Sequence, residues 1–303
     1  MADLLRPSSL HAYTGQTNEH RENRRGQDWG RFRGRSAWLA VIAALATLSH
    51  VGSTAHAEVT TRTVDYQDGD TALQAYVASD DAVQGPRPGV LVCHAWWGQG
   101  DYAQRRARML AEMGYTAVVL DMYGGATHTD DPAEAKKLAG PFYSDRAMFR
   151  RRATAGLELL QDQPDVDPDR IAAIGYCFGG TTVLELAYSG AELAGVVSFH
   201  GSLMPPQADS DDADNIAGEV LICHGQADPM MTLDKLATVI DALQTAEVPT
   251  TTAIYSGAVH AFTDPTTSGE MEGVAYQERA DYASWEHMQS FLNRVFGGSE
   301  EQD

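Results

Sequence analysis

A glycine-flanked cysteine constrains the fold of this chain more than any other feature of its sequence. Cys177 stands between Gly175 and Gly179, directly after the apolar run 171–174 and before an apolar helical pattern. This Gly-x-Cys-x-Gly spacing is typical of a strained turn between a strand and a helix, because only glycine lets the neighbouring backbones crowd so closely. We therefore interpret residues 174–180 as a nucleophile elbow in which cysteine takes the place of serine.

Such an elbow predicts two partners in a set chain order, an acid after a later strand and a histidine after the next one. Asp228 follows the apolar run 219–224, and His260 follows the run 250–255. Each also has a plain structural interpretation, since Asp-Pro often begins a turn and a histidine can simply pack. Their order favours a catalytic set, with Cys177 as the nucleophile, His260 taking its proton and Asp228 holding the imidazole.

Residues 60–296 resemble the dienelactone hydrolase family, a cysteine-nucleophile branch of the α/β-hydrolases. The resemblance is carried by the motif around Cys177, by Asp228 and His260, and by the His-Ala-Trp-Trp-Gly segment at 94–98.

The resemblance implies an enzyme that cleaves carboxylic esters or lactones, small-molecule substrates, through a thioester and without a cofactor. It also implies an oxyanion hole made of the backbone N–H groups of Phe178 and Trp96. The elbow motif by itself indicates the first donor, together with a second one from the loop after residues 88–94.

Three positions depart from the family's pattern. Ala95 stands where the family has a glutamate that interacts with the resting cysteine, and Gly125 and Asp264 stand where it has arginines that hold a substrate carboxylate. An aspartate at such a place repels an anion. We therefore expect a neutral ester or lactone as the substrate. The residues expected to line its pocket are Trp97, Tyr123, His200 and Phe262.

Other kinds of protein remain open at this point. A hydrolase fold can also serve as a catalytically weak or inert binding protein, because fold does not determine function. A hydrolase of thioester or peptide bonds is a further alternative.

A zinc site is the alternative use of three histidines. His94, His200 and His224 each end a predicted strand at the same edge of the sheet, and three imidazoles could hold zinc. No carboxylate falls at a recognisable metal-ligand spacing. We therefore expect structural or pocket-lining roles for these residues, and no metal.

Charge limits the partners. The chain has 22 Lys and Arg against 42 Asp and Glu, a net charge of -20. Binding to nucleic acid requires clustered cations, so this balance argues against it. An acidic protein is also repelled by anionic membrane surfaces, and most of the charge serves solubility.

The first 57 residues differ in composition from the rest. They contain seven Arg against four acids, and an apolar run at 37–48 is followed by Ala-His-Ala at 55–57. This pattern predicts a secretory signal peptide with cleavage before Glu58. We expect a periplasmic or secreted protein with no membrane contact after cleavage, and the alternative is that the run stays uncleaved as an anchor.

Strand and helix patterns alternate after the leader. Residues 59–66 and 71–78 alternate polar and apolar side chains around an acidic turn, which predicts an antiparallel hairpin at a sheet edge. Continuous apolar runs follow, as in strands buried on both faces of a parallel sheet. Further strands are expected at 88–93, 115–120, 171–174, 194–200, 219–224 and 250–255, with helices at 101–113, 132–138, 146–162, 233–244 and 274–296 and a turn at 165–169.

This alternation favours the α/β-hydrolase fold, a doubly wound, mostly parallel sheet of about seven to eight strands with helices on both faces. The chain has 303 residues, 43% of them hydrophobic, enough for one such domain over 58–303. We expect a monomer or a dimer. Cys93 and Cys223 end apolar runs, so we interpret them as buried, unpaired thiols.

Overall fold

The described part of the chain is built on one eight-stranded sheet. The computed structural model describes residues 58–297, and the predicted signal peptide lies outside them. The strands are β1 (Val59–Asp68), β2 (Thr71–Asp80), β3 (Arg87–Cys93), β4 (Thr116–Val119), β5 (Val166–Tyr176), β6 (Gly195–Phe199), β7 (Glu219–Gly225) and β8 (Thr250–Tyr255).

The strand order is β1-β2-β4-β3-β5-β6-β7-β8. The first two strands form the expected antiparallel hairpin, β2 pairs antiparallel with β4, and all later neighbours are parallel. The elbow strand β5 therefore lies near the centre, and the loops that follow β3, β5, β6, β7 and β8 meet at one carboxyl edge. That edge is where open α/β sheets bind ligands.

Within residues 58–297, six helices cover the two faces of the sheet. They are α1 (Asp101–Glu112), α2 (Pro132–Ser144), α3 (Arg146–Gln161), α4 (Phe178–Tyr188), α5 (Leu233–Thr245) and α6 (Glu278–Val295). Apolar residues of α2 to α5 pack on one face, and those of α1 and α6 pack on the other. Leu91 and Val92, neighbours in β3, belong to opposite cores, as expected of a strand that is buried on both sides. The predicted α/β-hydrolase architecture is confirmed.

Three local expectations were wrong. Helix α2 continues to Ser144 although Pro141 lies inside it, and β5 begins at Val166 where a turn was expected. The pairing register between β3 and β5 shifts between Pro88 and Gly89. This shift lets β5 include the residues that were expected to form the turn. Helix α6 begins only at Glu278, because the residues before it hydrogen-bond to the segment that carries His260.

No helix within residues 58–297 combines the length and the apolar character needed to cross a membrane.

Candidate active site

The glycine turn between β5 and α4 holds Cys177 in a strained conformation. Its φ is +54° and its ψ is −112°, a backbone conformation that residues other than glycine rarely adopt. A Cβ at Gly175 would collide with the carbonyl oxygen of Gly179, and a Cβ at Gly179 would collide with that of Cys93. Both glycines are therefore required by the close approach of three backbone segments. The thiol lies at the N-terminus of a helix that is buried along its whole length.

Asp228 and His260 are in direct contact. The Nδ1 atom of His260 lies 2.8 Å from Oδ2 of Asp228, and the other carboxylate oxygen accepts the backbone N–H groups of Met230 (2.8 Å) and Met231 (3.1 Å). Burial acts to raise the pKa of Asp228, but these bonds and the His260 charge outweigh it and lower the pKa. An ionised Asp228 that accepts from Nδ1 leaves Nε2 for the exchange of a proton with the nucleophile.

The segment that carries His260 is tied down on two sides. The backbone N–H of His260 donates to Gly273 O (3.0 Å), and the His260 carbonyl accepts from Ala275 N (3.1 Å). The buried guanidinium of Arg106 in α1 donates to Thr263 O (2.9 Å) and also pairs with Asp281 of α6. These contacts hold the backbone of the segment that carries the His260 imidazole.

Cys177 and His260 shift each other's protonation. Burial acts to raise the pKa of the Cys177 thiol, but the His260 imidazole and the backbone N–H groups of Phe178 and Trp96 outweigh it and lower the pKa. Burial acts to lower the pKa of His260, yet Cys177 and Asp228 raise it to about 10. Both shifts favour the charged forms, a thiolate on Cys177 and an imidazolium on His260. The Nε2 atom of His260 is buried and has no hydrogen-bond partner among the described residues.

The two backbone N–H groups that lower the pKa of Cys177 belong to the two residues expected for an oxyanion hole. Phe178 is the first residue of α4, and Trp96 lies in a turn closed by the bond from Gly98 N to Ala95 O (3.0 Å). The Tyr123 hydroxyl donates to Trp96 O (3.0 Å) and supports this turn from the loop after β4. Donors preorganised in this way can hold the negative oxygen of a tetrahedral intermediate.

A cleft of about 1240 Å³ opens over Cys177 and His260. Trp97 and His200 line it, as predicted, and Trp96 does so as well. Tyr123 and Phe262 do not line it, contrary to expectation. Tyr123 stands behind the Trp96 turn, and Phe262 is fully buried against the His200 ring.

Among the described residues that line this cleft, the acidic and basic side chains other than Cys177 and the histidines are all carboxylates. Asp264 is among them, as the sequence suggested, whereas Gly125 is not. Lys and Arg do not occur among the described residues that line the cleft. The acidic residues are Asp101, Asp130, Asp264 and Glu270.

The sequence analysis missed two large residues of the cleft. Tyr143 of α2 is 40% exposed and Met230 is 39% exposed, and both line it. Tyr143 was missed because the predicted helix ended at 138. A signal existed for Met230, which follows Asp228 by two residues and so lies close to the predicted site.

Two of the three histidines considered for zinc make other contacts. His94 Nδ1 lies 2.7 Å from Ala95 O, and His200 Nε2 lies 2.7 Å from Thr263 Oγ1. Burial lowers the pKa of His200 well below its usual value, so its ring is neutral. Among the described residues, no group of three or more His, Cys, Asp or Glu side chains is arranged to hold a metal ion.

Known proteins resemble this chain over most of its described part. A solved structure of a dienelactone hydrolase-like promiscuous phosphotriesterase from metagenomic libraries shares 41% identity, covers 79% of this chain and 99% of its own, and superposes with a TM-score of 0.76. The carboxymethylenebutenolidase of Rhodococcus opacus is 26% identical over 65% of this chain and 77% of its own length. Protein usf of Aquifex pyrophilus is 26% identical over 66% of this chain and 85% of its own length.

The model of the dienelactone hydrolase family matches residues 73–296, which include the elbow, Asp228, His260 and the Trp96 turn. This chain therefore belongs to the dienelactone hydrolase family of α/β-hydrolases, enzymes that act on lactone and ester bonds.

Proposed function

We propose that this enzyme hydrolyses neutral carboxylic esters or lactones through a thioester on Cys177. The observation that carries the proposal is the position of the thiol at the start of α4, beside the His260 imidazole and two backbone N–H groups. A catalytically inert binding protein has no need for this combination of strain, donors and a charged histidine.

Acylation begins from the thiolate. The sulfur of Cys177 attacks the carbonyl carbon, a C–S bond forms, and the carbonyl oxygen takes up negative charge facing the N–H groups of Phe178 and Trp96. The tetrahedral intermediate collapses, the C–O bond to the leaving group breaks, and the imidazolium of His260 gives its proton to the departing oxygen.

Deacylation follows from the same electrostatics. The charge of Cys177 is the largest influence that raises the pKa of His260, and it disappears once the sulfur is acylated. The pKa of His260 then falls, and the neutral imidazole can take a proton from water, which attacks the thioester. The C–S bond breaks, and the acid product leaves with the thiolate restored.

The charge of the cleft supports neutral substrates. Four carboxylates and no Lys or Arg line it among the described residues, so its side walls repel a substrate anion. The Trp96 and Trp97 rings, 4.9 Å apart, offer an apolar surface for an aromatic or alicyclic group.

A matched ester pair tests the proposal. With a neutral aryl acetate we expect a burst of phenol that is absent in Cys177→Ala, and a neutral methyl ester should be hydrolysed at least about tenfold faster than its carboxylate analogue. Unchanged turnover in Cys177→Ala would remove the proposed mechanism, and a preference for the carboxylate would remove the proposed substrate class.

Phosphotriester hydrolysis is a second candidate, favoured by the 41% identity to the promiscuous phosphotriesterase. A neutral dialkyl aryl phosphate suits the acidic cleft, and its phosphoryl oxygen could occupy the same two N–H donors. We expect slow release of the aryl alcohol that depends on Cys177. Release that persists in Cys177→Ala would assign it to another site.

We also propose that the enzyme is exported, on the basis of the apolar run 37–48 and the Ala-His-Ala segment before Glu58. N-terminal sequencing of protein from its native host should begin at Glu58. An intact N-terminus would refute this cleavage.

A further inference from the structure

The peptide group between Ala95 and Trp96 carries one of the two oxyanion-hole donors, and its carbonyl is held from the opposite side. The Ala95 oxygen lies 2.7 Å from Nδ1 of His94 and accepts the N–H of Gly98 at 3.0 Å. A trans peptide is planar, and its N–H and C=O point in opposite directions. Fixing the oxygen of Ala95 therefore aims the N–H of Trp96 towards Cys177.

The protonation of His94 can be assigned from its partners. The Nε2 atom accepts the N–H of Met122 at 3.3 Å, and a backbone N–H can only donate. Nε2 must therefore carry the lone pair, so Nδ1 carries the hydrogen and donates to Ala95 O. His94 is completely buried, and burial is the main cause that lowers its pKa, which keeps the ring neutral.

The support for His94 comes from a different strand. Met122 and Tyr123 belong to the loop after β4, where the buried carboxylate of Asp121 accepts the N–H groups of Tyr123 (3.0 Å), Gly124 (2.7 Å) and Ala126 (2.7 Å). The same loop sends the Tyr123 hydroxyl to Trp96 O. This one loop thus holds both peptide groups that flank Trp96, the first through His94 and the second through the Tyr123 hydroxyl.

We propose that His94 is a positioning residue for the reaction, a neutral imidazole that connects the loop after β4 to the Ala95–Trp96 peptide and so aims the Trp96 donor at the developing oxyanion. The inference rests on the proposed function, because it needs Cys177 to form a tetrahedral intermediate. His94 touches neither substrate nor sulfur in this role.

Two substitutions separate the bonds that His94 makes. In His94→Asn the side-chain NH₂ can take the place of Nδ1 and donate to Ala95 O. In His94→Gln the longer side chain reaches the N–H of Met122 instead, and Ala95 O keeps only the hydrogen bond from Gly98 N. Each variant is compared by the burst rate with a neutral aryl acetate and by the alkylation rate of Cys177 with iodoacetamide. Alkylation is a displacement at carbon that creates no oxyanion, so it reports only on the thiolate and its surroundings.

We expect His94→Gln to slow the burst about 10- to 100-fold, since loss of a whole oxyanion donor costs about 100- to 1,000-fold. His94→Asn should stay within about tenfold of the wild-type burst rate, and the alkylation rate should remain within about threefold in both variants. Equal losses in the two variants, or alkylation that falls in parallel with the burst, would overturn the proposal.

A measurement on the wild-type chain remains decisive if His94→Gln does not fold. Nitrogen-15 spectra of histidine-labelled protein should show His94 as the neutral Nδ1–H tautomer across the neutral pH range, and a proton on Nε2 would overturn the assignment. Failure of the proposed function looks different, because it leaves turnover intact in Cys177→Ala whatever His94 does.

Discussion

Cys177 and Cys223 differ in the side chains around them, and of these two only Cys177 has the surroundings of a nucleophile. Cys177 lies beside His260, which Asp228 holds. Cys223 accepts the Tyr255 hydroxyl at 3.4 Å, and that hydroxyl lies 2.8 Å from Nδ1 of His287.

The pKa values of the two thiols move in opposite directions. Burial raises the pKa of Cys223 to about 12, with only a small opposing effect from Tyr255, whereas the pKa of Cys177 is lowered despite burial. Cys177 stands at a helix N-terminus, where N–H groups have no partner within the helix. Cys223 lies inside β7, between two parallel neighbours that use its backbone groups.

The difference shows that a histidine near a thiol does not by itself lower the pKa of the thiol. The thiolate needs donors aimed at the sulfur and a histidine kept protonated by a carboxylate. A cleft of about 1000 Å³ lies beside Tyr255 and His287, yet Cys223 does not line it and is fully buried. Substrate access therefore also separates the two cysteines.

The largest expected effect is on alkylation. Cys177 should react with iodoacetamide at neutral pH at least about 1,000-fold faster than Cys223, because a thiol with a pKa near 12 contains almost no thiolate there. The rate at Cys177 should fall only when the pH drops below its lowered pKa. Mass spectrometry of the labelled peptides measures each rate, and comparable rates would contradict the difference in pKa between the two thiols.

Asp228→Asn should make Cys177 more like Cys223, a protonated and unreactive thiol. Without the carboxylate, His260 loses part of the stabilisation of its charged form and its tautomer is no longer fixed, so we expect turnover of a neutral ester to fall by about 100- to 10,000-fold. Asp264→Asn is the matched control, since Asp264 lines the cleft and is held by Thr266 rather than by His260. Its turnover should stay within about threefold, because a neutral ester carries no charge for Asp264 to attract or repel. Similar losses in both variants would contradict the assigned role of Asp228.

The smallest effect is expected from Tyr255→Phe, which removes the hydroxyl between Cys223 and His287. Turnover should stay within about twofold, and the free energy of unfolding should fall by about 1 kcal/mol for the lost hydrogen bond. Denaturant unfolding and steady-state kinetics measure the two quantities. A loss of turnover as large as that in Asp228→Asn would mean that the second arrangement takes part in catalysis.

Local patterns were enough to predict most of the fold. The hairpin of β1 and β2, the apolar run of β3 and the glycine turn around Cys177 each depend on neighbouring residues, so the sequence shows them directly. The start of α6 could not be predicted, because residues 274–277 have a helical pattern but bond instead to the segment of His260.

The make-up of the cleft was harder to predict than its position. The order of the elbow, Asp228 and His260 places all three at the carboxyl edge of the sheet. Which aromatic rings face the opening depends on how α2 and the loop after β4 pack, and for that reason Tyr143 was missed and Tyr123 was expected in the wrong place.

The sequence alone determined the nucleophile elbow, because glycine on both sides of Cys177 marks a turn so tight that a Cβ at Gly175 would collide with the backbone of Gly179. Only the tertiary structure decided the direction in which the pKa of Cys177 shifts and the contacts that His94 makes. Both depend on short contacts between segments far apart in the chain, and hydrogen bonds and charges act strongly only at such distances and away from water.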